Sequence, residues 1–217
     1  MRRVRGLVWG LLVLGGVWLP SLGFAGTIET AFLEQPWPRQ HVRETEVYKY
    51  AVRWRQRVSR TEGLSAGVQF TAPTDRGTTW ALATDFTEVG NLTPGVKAVR
   101  YLEQTPTRQV IQLDVQVLWI TTQMTFEVEQ DPPNAVRFRM VHDLVGEYRG
   151  VLLLKDPAGA FRSSSPANTA LEMATWLKPN RPVALGLLAT VQRMILLRGV
   201  RDFLRTCEEA YRQPAVG

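Results

Sequence analysis

The stretch that most constrains what this chain can fold into is the last long one, residues 181–212. It reads as a single helix. Asn180 offers a side-chain oxygen to an orphan N–H of the first turn. Pro182 falls near the first helical position, where a missing N–H costs nothing, and Pro214 marks the stop. Leu196, Val200, Phe203 and Cys207 step by four, three and four, which places them on one face, and Leu188, Val191 and Ile195 extend it toward the N-terminus. Arg198, Arg201, Asp202, Arg205, Glu208 and Glu209 suit a solvated side. Residues 183–197 are apolar on almost every side, so this half is expected to be the more deeply buried one. Gly186 and Gly199 each cost about 1 kcal/mol against Ala in a helix interior. Close packing or a bend is therefore expected at both.

Most of what precedes the helix reads as short strands. Residues 46–60, 64–72, 96–104, 108–120, 121–130, 136–140, 146–156 and 169–177 carry alternating apolar and polar side chains, separated by turn residues such as Asp131-Pro132-Pro133-Asn134. Thr74 or Asp75 caps a short helix running to about Thr84, and residues 85–95 read as a loop or broken helix. Short connections favour an antiparallel meander. A sheet with one apolar face must be covered, and the C-terminal helix is the one long candidate.

The N-terminus stands apart. Arginines at 2, 3 and 5, an apolar run over residues 6–19 and small residues at Gly23 and Ala25 make a secretory signal with cleavage after Ala25. The alternative is an uncleaved anchor, although the run is short for a span of ~20 residues. The organisation expected is a signal at 1–25, a leader with an extra strand at 26–63 and one domain at 64–213. Export, to the periplasm, follows. Without Arg2, Arg3 and Arg5 the chain holds 23 basic against 20 acidic residues, too mild a balance for nucleic acid. Lys49, Arg53, Arg55, Arg57 and Arg60 form a local basic cluster, read as a solvated edge strand or as a transient contact for anionic membrane headgroups. Cys207 is the one cysteine, so an internal disulfide is excluded.

The run from Trp80 to Arg100, WALATDFTEVGNLTPGVKAVR, resembles the START-like superfamily of polyketide cyclases/dehydrases and lipid-transport proteins (SRPBCC). In its coenzyme-Q-binding branch a short helix ends in an aspartate and an aromatic, then leads through a Pro-Gly turn into a strand. Asp85, Phe86, Pro94, Gly95 and Val96 match that order, and the 131–133 turn, the strand with Phe138 and the closing helix follow it. The resemblance covers residues 64–211. It implies an α+β helix-grip (START-like/Bet v 1-like) fold, in which a curved antiparallel sheet of about six or seven strands wraps around a long C-terminal helix and encloses an apolar cavity. Members mostly bind lipids, quinones, sterols or polyketides; a minority catalyse cyclisation or dehydration.

Catalytic groups are scarce. His41 lies in the leader and His142 sits beside Asp143, but neighbouring strand residues point to opposite faces. No serine sits in a G-x-S-x-G elbow, because the one such string, residues 63–67, runs into the strand read at 64–72 rather than into a helix, and the chain has no P-loop and no metal-ligand spacing. Ser163–Ser165 falls in a Ser- and Ala-rich loop. No cofactor is expected. Apolar residues dominate the inner face instead. The candidate cavity residues are Phe86, Trp119, Met124, Phe126, Phe138, Met140, Tyr148, Leu152 and Met173, with Leu188, Val191 and Ile195 from the helix. The expectation is an exported, non-enzymatic carrier of a lipid, quinone or isoprenoid. The alternative is a cyclase/dehydratase using Asp85, Tyr148 or His142 in the same cavity.

Overall fold

A computed structural model describes residues 28–38, 42, 50–93, 95–117, 120–141, 146–157, 168–180 and 182–212. The expected signal, both histidines, Lys49, Trp119 and Ser163–Ser165 lie outside the described residues. In chain order the elements are α1 (Ile28–Glu34), β1 (Arg53–Ser59), β2 (Gly63–Ala72), α2 (Arg76–Thr84), α3 (Phe86–Leu92), β3 (Val96–Gln104), β4 (Arg108–Val117), β5 (Ile120–Asp131), β6 (Ala135–Met140), β7 (Gly146–Lys155), β8 (Thr169–Pro179) and α4 (Leu185–Arg212).

The strands form one antiparallel sheet in the order β1-β2-β8-β7-β6-β5-β4-β3. β3 through β8 are the expected meander. The β1–β2 hairpin joins at the far edge by pairing β2 with β8, so the described sheet has eight strands, as many as alternation marks and one more than the resemblance implies. The crossing from β2 to the opposite edge is made by α2 and α3. α4 packs on β1 and β2 and touches α3, which completes the helix-grip architecture.

Local chemistry explains the short helices. Asp75 caps α2 by accepting from the Thr78 N–H at 2.9 Å, and the Thr78 hydroxyl and N–H bonds hold its carboxyl below the usual range. Asp85 closes α2, its N–H donating to Ala81 O, and opens α3 by accepting from the Glu88 N–H at 3.1 Å. Residues 86–92, expected as loop or broken helix, are therefore helical. One capping aspartate both breaks and restarts the helix.

The long helix departs from expectation in two ways. It starts at Leu185, not beside Pro182, because Ala184 O accepts the first bonds, from the Leu187 and Leu188 N–H groups. Its first half is also the less buried one. Leu187 and Met194 are 66% and 63% exposed, while Val200, Leu204 and Cys207 in the second half are buried. Only one sector of the helix meets the sheet, and that sector is deepest in the second half. Neither glycine is tightly packed: a Cβ on Gly186 or Gly199 meets nothing within 4 Å.

The apolar interior forms two joined clusters. One gathers Val68, Phe70, Leu154 and Leu171 with Leu197, Val200, Leu204 and Cys207 beneath α4. The other gathers Ile111, Phe126, Val128, Val136 and Met140 on the β4–β6 side. Trp80 and Leu152 pack against both. Each fully buried Leu, Val or Phe contributes ~1.5–3 kcal/mol, so these clusters fix the curl of the sheet.

The leader is not a free arm. Phe32 and Leu33 of α1 pack with Val151 and Ala174, residues that alternate with the α4-facing ones and so lie on the opposite face of the sheet. The Arg55 guanidinium lies 4.4 Å from the Phe32 ring and 4.2 Å from the Trp37 ring and donates to Gln35 O at 2.7 Å. β1 is an edge strand, as expected, but Arg55 is covered rather than solvated, and burial lowers its pKa. Arg53 donates to Gln69, and Arg57 pairs with Glu62.

Candidate apolar cavity beneath the closing helix

Between the inner face of the sheet and the helices lies a cavity of about 200 Å³. Its floor is Phe70 of β2, Val136 and Phe138 of β6, Leu152 of β7, and Leu171 and Met173 of β8. Its other walls are Ala83 of α2, Phe86, Val89 and Leu92 of α3 with the capping Thr93, and Ile195, Leu196, Gly199, Val200 and Phe203 of α4. Phe70, Ala83, Val136, Leu171 and Val200 are buried, and the other lining residues, on sheet and helices alike, are half-buried.

Backbone geometry seats these walls. Gly90 lets α3 settle on β3, since a Cβ there overlaps Val99. Gly95, at φ +91°, makes the left-handed turn into β3 that a side chain disfavours, and its carbonyl accepts from the Gln116 N–H at 2.7 Å. Gly150 pairs with Phe138 across β6 and β7. A Cβ on Gly150 falls 2.9 Å from Phe138 Cε2 and closer to Cζ, so the ring lies over the glycine. Phe138 also meets Phe126 edge-on at 6.3 Å and Tyr148 at 6.0 Å, while Phe203 meets Phe70 edge-on at 6.3 Å.

No charged side chain occurs among the described lining residues, and Thr93 is the one polar side chain there. Its hydroxyl donates to Val89 O at 2.7 Å, so its proton is held within the helix end. Such a wall recognises apolar shape and penalises a bare charge. Among the described residues no group of three His, Cys, Asp or Glu side chains is placed to hold a metal ion.

The expected site residues divide accordingly. Phe86, Phe138, Leu152, Met173 and Ile195 surround this cavity. Met124, Phe126, Met140 and Tyr148 belong to the adjoining β4–β7 cluster and do not line it. Leu188 and Val191 lie half-buried one to two turns before the lining part of α4 and are not in its wall. Val89 and Leu92 are absent from the expected site because residues 85–95 read as loop or broken helix, although Phe86, Val89 and Leu92 recur every third residue as on one side of a helix. Phe203 reads as plain core from its stripe position. Its place in the wall depends on how α4 crosses the sheet.

The enzymatic alternative needs polar groups converging on the pocket. Asp85 is exposed and engaged as a cap. The Tyr148 hydroxyl is pushed up to about 12 by burial, partly offset by its hydrogen bond with Thr175, so it stays a neutral phenol near neutral pH. Thr175 in turn accepts from Gln192 Nε2 at 2.8 Å. Asp85 and Tyr148 do not meet.

No family model matches the chain, and no curated protein matches it. Solved structures do. The STAR-related lipid transfer protein from Xanthomonas axonopodis is similar at 12% identity and TM-score 0.59, covering 72% of this chain and 93% of that one. The Zhui aromatase/cyclase from Streptomyces sp. R1128 is similar at 17% and 0.56, covering 76% and 99%. A START superfamily protein from Mycobacterium smegmatis is similar at 15% and 0.56, covering 67% and 97%. At these identities the likeness is one of fold. The chain has the START-like helix-grip fold.

Proposed function

We propose that this chain is an exported, non-enzymatic carrier that holds one uncharged hydrophobic molecule, of the lipid, quinone or isoprenoid class, between α3, α4 and the sheet. The observation that carries the reading is the cavity wall: four phenylalanines, a methionine and no charged side chain among the described lining residues. A wall of that composition gains from burying apolar surface at about 25 cal/mol per Å², and its one described polar side chain, Thr93, already donates its proton to Val89 O. Structural likeness to a lipid transfer protein supports the reading.

Organic extraction of the chain purified from its native host, followed by mass spectrometry, is expected to return one hydrophobic compound in near-stoichiometric amount. Repeated extraction of nothing, together with no binding across a panel of lipids, quinones and isoprenoids, would sink the proposal. The same reading includes transient contact with an anionic membrane surface through the β1 arginines. Arg53→Glu with Arg57→Glu is then expected to abolish salt-sensitive binding to phosphatidylglycerol vesicles.

A further inference from the structure

Gly199 sits in the middle of a 28-residue helix, where glycine forfeits helix propensity relative to alanine. Other glycines are required by the protein's own packing: a Cβ on Gly90 overlaps Val99, and one on Gly67 falls 2.9 Å from Phe32. At Gly199 nothing lies within 4 Å of the added Cβ. Gly186 shares that property, but it is exposed in the first turn and borders no cavity. Gly199 lines one. At ~100° per residue, Ile195, Leu196, Gly199, Val200 and Phe203 occupy a sector of ~140° with Gly199 inside it. The exposed residues Leu187, Met194 and Arg198 lie on the other side of the helix. The open space beside Gly199 is therefore that of the cavity.

The volume narrows the occupant. A dry apolar cavity of ~150 Å³ accepts benzene, and this one is about 200 Å³. It encloses a body of one to two rings, or a short branched isoprenoid segment, and does not enclose a long acyl chain whole.

We propose that Gly199 sets the size of the ligand, its missing side chain leaving the space in which a compact, uncharged, one- to two-ring apolar body is seated. This rests on the carrier reading above and deepens it. A purely structural glycine and a space-keeping one respond oppositely to a methyl group. If packing required the glycine, Gly199→Ala would destabilise the fold. If the glycine keeps room for the ligand, Gly199→Ala raises Tm by about 2–4 °C through helix propensity while affinity for a large probe falls.

The test uses naphthalene and the bulkier uncharged N-phenyl-1-naphthylamine with the full chain and three variants. Gly199→Ala is expected to weaken N-phenyl-1-naphthylamine by ~5-fold or more and naphthalene by less than ~3-fold, with Tm raised. Gly199→Leu fills much of the space and is expected to weaken both by at least ~10-fold. Gly186→Ala, in the exposed first turn, is expected to leave both affinities unchanged. Equal affinities for the parent chain and Gly199→Ala, or a lowered Tm for that variant, overturn the role of Gly199 and leave the carrier reading standing. A parent chain that binds neither probe overturns the carrier reading, and this inference with it. Should Gly199→Leu fail to fold, Gly199→Ala alone decides the matter.

Discussion

Gly150→Ala tests how the cavity floor is built. The added methyl falls 2.7 Å from Ala174 O, a backbone atom held by the β7–β8 ladder, and 2.9 Å from Cε2 of Phe138. The carbonyl has little room to yield, so the phenylalanine ring must. Overpacking of this kind costs about 1–3 kcal/mol, which for a domain of this size lowers Tm by roughly 2–4 °C per kcal/mol. The ring lines the cavity, so N-phenyl-1-naphthylamine affinity is expected to fall with stability. A double-mutant cycle isolates the cause. Phe138→Leu removes Cε2 and Cζ, the atoms in conflict, and by itself costs about 1–2 kcal/mol as a large-to-small change. In that background Gly150→Ala is expected to cost at least ~1 kcal/mol less than in the parent, a coupling within the usual range for residues in contact. Urea unfolding of the four proteins, with shared m-values, measures it. Additivity within ~0.5 kcal/mol would refute the claim that the ring rests on the glycine.

Other perturbations follow from the same geometry. Burial pushes the Cys207 thiol up to about 12. The unfolded chain releases that proton near pH ~8.5, so stability is fully present below that pH and is lost as pH rises toward 12, by about 1 kcal/mol per pH unit. Urea unfolding at pH 8 and 10 is expected to show the loss, and Cys207→Ala to flatten it between those two values. Asp85→Ala removes the cap of α3 and is expected to cost ~1 kcal/mol, with faster probe dissociation in stopped-flow because Phe86, Val89 and Leu92 of α3 form part of the cavity wall. An unchanged off-rate would separate α3 from gating. Arg76 donates to Asn134 Oδ1 at 2.7 Å, Leu154 O at 2.9 Å and Pro133 O at 3.3 Å. Arg76→Met is expected to cost ~1–3 kcal/mol by denaturant titration while probe affinity at 25 °C stays the same.

What the sequence determined by itself was everything governed by local periodicity. Alternation placed the strands of the meander to within a few residues. A cap at Thr74 or Asp75, the turn at 131–134 and the apolar stripe Leu196-Val200-Phe203-Cys207 each followed from neighbours along the chain. The resemblance carried by residues 80–100 then pointed to the helix-grip fold, which the sheet order and the solved neighbours show. The tertiary structure decided what periodicity cannot encode. Hydropathy alone makes the first half of α4 look like the inside, yet Leu187 and Met194 face outward, because burial is set by where the sheet ends beneath the helix. The wall of the cavity was only partly legible for the same reason. Met124 and Phe126 share strand parity with residues that face α4, but they pack laterally with one another rather than beneath the helix. Phe70, Phe203 and Gly199 enter the wall through contacts between elements far apart in sequence. The glycine is the clearest case: residue type showed its cost to the helix, and only the space beside it shows a reason for that cost.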